Sequence, residues 1–457
     1  MIRGNHWFWG AFLIAGSVCA STPSLTAEDS PYSEICSDSE VARCQCNLFG
    51  DDSCCCDDWA TRSQLGGNLF GLRTALGENG IALNISTTQF YQGVASGGLQ
   101  QSFDYAGRND YYLNVDGQQA GLWQGFFVTL HGETRYGDTI NGETGAIMPV
   151  NLGAAIPVPT GSVTALTAVK FTQALSENFI TFAGKINMLD ELKQPYAAGR
   201  GVDAFMNLGL ALPVVAARTI PYSTLGAGLA LLREGQPMLT MMVFDSHSTP
   251  TTSGFENFFT NGANILARLE TPVVLLDRPG HQAIWGTYSS GTYSDLSPTA
   301  YFDPEFGLLV STGTETGSWS ITYSADQALW VDPSNPLRSW GLFTNIGLAD
   351  NGPSPVRWSA NVGLGGSSPI VSRPLDTFGI GYSLVNYSTP VQQIAPNLIP
   401  IDDDHAVELF YNYAVTPWFR LTPDLQVIVP ARQQTLPPGA QPIDTALVLG
   451  LRAKIEF

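Results

Sequence analysis

Residues 410–430, "FYNYAVTPWFRLTPDLQVIVP", decide the fold: they alternate like β-structure yet hold prolines at 417, 423 and 430. Proline lacks a backbone donor and is excluded from central strands of ordinary sheets. From Val407 to Val415 the odd positions are Val407, Leu409, Tyr411, Tyr413 and Val415, and the even ones are Glu408, Phe410, Asn412 and Ala414. Beyond Thr416-Pro417-Trp418 one face carries Phe419, Leu421, Leu425, Val427 and Val429, the other Arg420, Thr422, Asp424 and Gln426. A period of two with one apolar and one polar face describes strands dry on one side and wet on the other. Pro417 then fits the second position of a tight turn, and Pro430 ends the second strand. Pro423 reads as a bulge or a locally unpaired position. The chain's end, "DTALVLGLRAKIEF" (444–457), repeats the alternation, and no helices are in view to cover such strands.

Composition points the same way. The chain has 457 residues and a formal net charge of −19, but only 13% of its residues are charged, about half the globular norm. Aromatics reach 11% and glycines number 47. Low charge, many aromatics and alternating segments suit a barrel whose outside faces lipid and whose inside faces water. The acidic balance excludes nucleic acid, whose phosphates call for Lys and Arg patches.

The first 27 residues read as a signal peptide: Arg3, an apolar run from Trp7 to Val18, then small residues with cleavage after Ala20 or Ala27. Val18 is too bulky to precede a lipidated Cys19. No later run is long enough for a membrane helix; the richest, "LGLALPVVAA" (208–217), is short and holds a proline. Residues 28–58 form an acidic module, with nine acids against Arg43 alone, hence −8. It holds Cys36, Cys44, Cys46, Cys54, Cys55 and Cys56. Without a C-x-x-C pair a zinc ribbon is disfavoured, and in an oxidising compartment up to three disulfides are expected. A metal–thiolate cluster is the sharper alternative.

Residues 59–457 carry the barrel. Leu65, Leu69, Leu72 and Leu76 share a helical stripe ended by Gly77 or Gly80, which predicts a short plug or rim helix. From Ile81 onward come strand candidates such as "IALNISTTQFY", "QGFFVTLHGET", "NILARLETPVV", "QAIWGTYSS", "GLLVST" and "RWSANVGLGG". At ~10 residues per strand plus connections, this region accommodates about 16 to 18 strands. If Phe457 ends on the periplasmic side, so does the Pro417 turn, and the longer connections around Pro437 and between Tyr387 and Asp404 lie outside.

"VELFYNYAVTPWFRLTPDLQVIVP" with the ending "GLRAKIEF" resembles the C-terminal signature of the carbohydrate-selective porins, the OprB-like family. "GLRTALGENGIAL", "DGQQAGLWQGFFVTLHGETRYG", "GKINMLDELKQPYA", "FMNLGL" and "RPLDTFGIGY" agree, in the family's order. The Cys-rich module is not part of that pattern. The resemblance implies an antiparallel transmembrane β-barrel of about 16 strands in the outer membrane, for passive uptake of sugars. The partners it implies are mono- or oligosaccharides in transit, outer-membrane lipid and the barrel-assembly machinery, with no cofactor. It leaves a homotrimer open. A general or ion-selective porin is the alternative.

Strand parity supplies the candidate pore-lining residues. In "QGFFVTLHGETRY" His131, Glu133 and Arg135 lie opposite Phe126, Val128 and Leu130; in "NILARLET" Arg268 and Glu270 lie opposite Ile265, Ala267 and Leu269. Arg357, Glu408, Arg420 and Arg452 follow by the same logic, and Arg108, Asp116 and Trp123 are expected near the first outer connections. Trp285, Trp319 and Trp358 read as interfacial girdle residues. Phe457 is expected to act as an assembly signal, as in outer-membrane proteins generally. Five histidines without an H-E-x-x-H pair, and no G-x-S-x-G elbow, argue against an enzyme; the acids of "IDDDH" (401–405) read as an outer loop.

Overall fold

The structure, a computed structural model, describes residues 58–457 except 193, 198–199, 297–298, 304–306, 312, 394–400 and 433–441. The signal segment and all six cysteines of the acidic module lie outside the described residues.

The chain forms β1 (Ile81–Gly98), β2 (Phe103–Asp116), β3 (Phe126–Gly137), β4 (Val163–Ser176), β5 (Phe179–Asn187), β6 (Ser223–Arg233), β7 (Gln236–Asp245), β8 (Ala263–Leu275) and β9 (Arg278–Ser294). A detached hairpin, β10 (Thr299–Asp303) with β11 (Gly307–Ser311), follows. Then come β12 (Thr314–Val331), β13 (Ser339–Ala349), β14 (Val356–Ser367), β15 (Thr377–Tyr387), β16 (Asp404–Thr416), β17 (Phe419–Val429) and β18 (Asp444–Glu456). Apart from the hairpin, the strands close into one antiparallel barrel of sixteen, each paired with its chain neighbours. The seam joins β1 to β18, from Ser86↔Glu456 to Gly98↔Asp444. "GLLVST" thus belongs to the hairpin and not to the wall.

Strand alternation sorts the two faces. In β16 the odd residues from Val407 to Val415 lie on the outer face, and the even residues from Glu408 to Thr416 are buried within. The β16–β17 register runs Phe410↔Asp424, then Tyr413↔Leu421 without a shift, so the ladder skips the place opposite Pro423. Pro423 does pair with Leu451 on its other side. It is a locally unpaired position, and the bulge of this hairpin lies at Ala414/Thr416.

The longest connections, 138–162 and 188–222 among them, share one end of the barrel, and the two-residue turns such as 177–178 and 417–418 share the other with Phe457. The strand β2 corrects three expectations. Its outward face mixes Phe103, Tyr105 and Tyr111 with Gly107 and Asn109, which hides the alternation. Counting it as a strand puts Arg108 mid-wall and moves the turn holding Asp116 and Trp123 to the short-turn end. Asp116 there accepts from the backbone N–H groups of Gln118 and Gln119. Trp123 is exposed, stacks on Phe126 at 4.4 Å and donates to Gln173.

The predicted Leu-stripe helix is shorter than its stripe. Leu69, Phe70 and Gly71 have positive φ, so α1 begins only at Leu72 and ends at Glu78, with no buried residue. It is tied down by Arg73, which donates to the carbonyls of Leu83 and Phe457. Among the described residues no helix is long and apolar enough to cross a membrane.

Two long connections fold inward and fill much of the lumen. Residues 138–162 include α2 (Leu152–Ala155); Ile140 and Val150 pack against Val94, Ala406, Ile428, Ala446 and Val448 of the wall. Residues 188–222 include α3 (Met188–Glu191), α4 (Leu208–Ala211) and the 3-10 turn Val214–Arg218. The apolar run 208–217 is therefore interior packing: Leu210 joins Phe205, Phe343 and Phe410, and Val214 and Val215 join Val356, Val385 and Tyr387. The two segments meet at Gly153 and Gly201. A Cβ on Gly201, whose φ is +78°, would lie 2.5 Å from the Gly153 nitrogen.

Candidate functional site

The strands β2 and β3 pair Arg108 with Arg135, Asp110 with Glu133 and Tyr112 with His131. All six project inward, because inward positions recur every second residue. Arg108 binds Asp110 (2.8 Å) and Glu133; its Nη1 has no hydrogen-bond partner among the described residues. His131 stacks on Tyr112 with ring centroids 3.9 Å apart, its Nε2 3.1 Å from Asp110 and its Nδ1 2.8 Å from Asp190. The inward segment 188–222 completes the cluster. Arg200 reaches Asp190 (3.2 Å), Asp110 (3.5 Å) and the His131 ring (3.0 Å). Tyr222, its pKa pushed up to about 12 chiefly by burial, stays a hydroxyl donor to Glu133.

Asp110, His131 and Glu133 hold their ligand-type atoms within 4.8 Å of one another. Arg108 and Arg200 already occupy those carboxylates, so the group works as a compensated charge network and resembles a metal site only in spacing. Two guanidiniums face the three carboxylates of Asp110, Glu133 and Asp190. The network binds the wall to the segment inside it.

The other parity-derived residues divide. Arg135 is buried and donates from Nε to Ala154 O (2.8 Å) and from Nη1 to Gly161 O, so it holds the 138–162 segment. Glu408 is buried too, accepting from the backbone N–H groups of Met206 (2.6 Å) and Asn207 (2.9 Å). Arg452 donates to Gly201 O and Ala204 O. In "IDDDH" Asp404 opens β16 and accepts from the N–H groups of Ile147 and Met148. These residues face inward but fasten protein to protein, where parity alone suggests solvated groups.

Two expectations are reversed. A bulge between Val356 and Trp358 puts the first two residues of β14 out of phase with the rest, burying Val356 and leaving Arg357 exposed at the start of its strand. Trp285 is 3% exposed, packed with Phe182, Phe244 and Leu266 inside the barrel, and donates to Ser324 (3.2 Å); it is no girdle residue. Trp319 is exposed on the outer face.

Partly exposed charges remain on the inner surface: Lys170 with Glu191, Arg268 with Glu270 at 2.6 Å, and His281 with Asp326 at 3.1 Å. Sequence reading missed Asp110, Asp190, Arg200, His281 and Asp326. Parity could have found Asp110, His281 and Asp326 once their strands were assigned, whereas Asp190 and Arg200 lie in a connection without period.

The comparisons with known proteins agree with this architecture. The family model "Carbohydrate-selective porin, OprB family" matches residues 100–457. Porin B of Pseudomonas aeruginosa is 25% identical over 198 residues, which is 39% of this chain and 41% of that protein. The match thus spans about two fifths of the relative's length. The high-pH structure of Pseudomonas putida OprB aligns with a TM-score of 0.71 at 19% identity, covering 87% of this chain and 99% of that one. Its low-pH structure gives 0.53 at 15% identity over the same shares. These likenesses show the fold. A family match across most of the chain, carried by a closed sixteen-strand barrel, makes this protein a member of the carbohydrate-selective porins of the outer membrane, the OprB family.

Proposed function

We propose that the barrel passes neutral sugars, mono- or oligosaccharides, by passive diffusion across the outer membrane, with Phe457 and the short turns on the periplasmic side. One observation carries this reading: the partly exposed inner charges come as pairs, Lys170–Glu191, Arg268–Glu270 and His281–Asp326. Each pair sets donors beside acceptors while cancelling the field that would select one sign of ion. A sugar hydroxyl both donates and accepts, so it can bridge such a pair. His131, Glu133 and Glu408 set the width of the passage by holding the 188–222 segment, with Arg108 fixing Glu133, and Arg135 does so for 138–162.

Uptake requires release, so binding is weak: a Kd of about 1 mM corresponds to about −4 kcal/mol. Planar bilayers holding the purified protein test this. Mono- and disaccharides should block the ion current at millimolar concentration. Absence of block by any of them hands the reading to a general diffusion pore.

We also propose that copies of the chain associate side by side. The outer face of β1–β4 carries a hydrogen-bonded polar band: Thr87 with Asn109, Gln89 with Tyr136, and Thr134 with Thr164, all near 2.7–2.9 Å. Lipid tails offer such groups nothing, whereas the same band on a second copy does. In a ring of three cylinders the two contacts on each lie about 60° apart, within the arc of about 90° that four of sixteen strands subtend. Native mass spectrometry should give a trimer that Asn109→Leu with Gln89→Leu weakens; a wild-type monomer in gentle detergent refutes it.

A further inference from the structure

Diametrically across the strand order from β2 and β3 stand β12 and β13. Between the wall from β8 to β13 and the inward segment lies a cavity that opens to the lumen. Leu192, Gln194, Pro195, Ala211 and Pro213 of the segment line one side, and Arg268, Glu270, His281 and Asp326 stand on the other. We propose that this cavity is a second subsite for an uncharged polyol, separate from the Lys170–Glu191 pair; the proposal rests on the reading of the channel as a sugar route.

The hydrogen-bonding state of each lining group sorts binders from supports. Gln194 donates to Ala325 O and accepts from Asn345, so both amides are engaged in docking the segment on the wall. The Trp285 N–H is likewise engaged with Ser324. The two ion pairs keep free capacity. His281 meets Asp326 through Nδ1 and has no protein partner at Nε2 among the described residues. Arg268 Nη2 lies 2.6 Å from Glu270 Oε2, their side chains are 22% and 25% exposed, and the Arg268 Nε has no hydrogen-bond partner among the described residues. Arg268 offers donors only and the carboxylates offer acceptors only, on neighbouring strands.

That pattern matches vicinal hydroxyls, each able to donate to Glu270 or Asp326 while accepting from Arg268. Pro195 and Pro213 give the opposite side of the cavity an apolar surface suited to a sugar's C–H face. The carboxylates disfavour an anionic ligand. A solute crossing the barrel would be handed from one polar site to the next.

The test is glucose-induced current noise in planar bilayers, which reads the number of binding classes and the constant of each. Wild type should show two classes. Asp326→Asn and Glu270→Gln should each weaken one class at least five-fold and leave the other unchanged. His281→Gln, a partly exposed lumen change, provides a second variant should either of those fail to assemble. Gluconate should not engage the affected class. A single wild-type class, or two classes unmoved by all three substitutions, overturns the second subsite while the sugar route stands. No block of the wild-type channel by glucose or any other sugar removes both.

Discussion

Arg135 has the inward parity and the polarity expected of a solvated lumen residue, yet its guanidinium is spent on two carbonyls of the protein. Hydrogen bonds from a charged donor contribute about 1.5–3 kcal/mol each. Arg135→Ala should therefore lower the temperature of the heat-modifiable gel shift and enlarge the single-channel conductance, because the 138–162 segment loses its hold; unchanged conductance would show that the segment is fixed elsewhere. Glu133 serves differently, as the carboxylate facing Arg108 and Tyr222. Glu133→Gln leaves Arg108 less compensated, so the zero-current potential in a salt gradient should shift toward chloride. At this scale the inward set His131, Glu133 and Arg135 was legible, because a two-residue period survives in β3. Arg357 was not legible, because the bulge between Val356 and Trp358 puts it out of phase with the inward residues Ser359, Asn361 and Gly363 that follow. What the inward residues touch was hidden too, since Ala154, Gly161 and Arg200 come from connections without periodicity.

Among the elements, the two inward segments depend on a contact that only glycine permits. Gly201→Ala adds a Cβ where φ is +78° and the Gly153 nitrogen is 2.5 Å away, and such strain costs of order 1–3 kcal/mol. Reduced thermal stability together with a noisier open current is the expected result, measured on the refolded barrel. The turn 368–376 gives a pH-dependent case. Burial alone would raise the pKa of Asp376, but hydrogen bonds from Arg373, Tyr411 and the Ala414 N–H hold it below its usual value. A carboxyl depressed in the folded state stabilises it above the unfolded pKa of ~3.9, and that contribution is lost as pH falls through the lower folded value. Protease nicking of this turn should therefore rise only below about pH 4, and Asp376→Asn should lose that rise, nicking equally at about pH 3 and about pH 5. Nearly all wall strands were readable from alternation and turn residues. The gaps were β2, where Gly107 and Asn109 interrupt the apolar face, and α1, whose stripe includes residues of positive φ.

For the molecule as a whole, closure depends on the chain's last strand meeting its first. The Phe457 N–H donates to Ile85 O, and Arg73 holds the Phe457 carbonyl. Deleting Phe457 should reduce membrane-inserted protein far more than export, compared by fractionation; equal insertion refutes the assembly role. Removing residues 28–57 should leave conductance and sugar block intact, and unreduced mass spectrometry of the mature chain should show six fewer protons than the all-thiol form.

The interior packing around the two infolded segments has a consequence for how this protein can change over generations. Away from the polar band of β1–β4, the wall's outer residues need only remain greasy, and one aliphatic group there replaces another at little cost. Its inner residues fit named partners, as Ala446 and Val448 fit Ile140 and Val150. Mutational tolerance should therefore beat in twos along the strands beyond that band, permissive outside and intolerant within. A new solute preference would then have to arise as a repacking, with wall and filling altered together, and swapping exposed loops alone would leave it untouched.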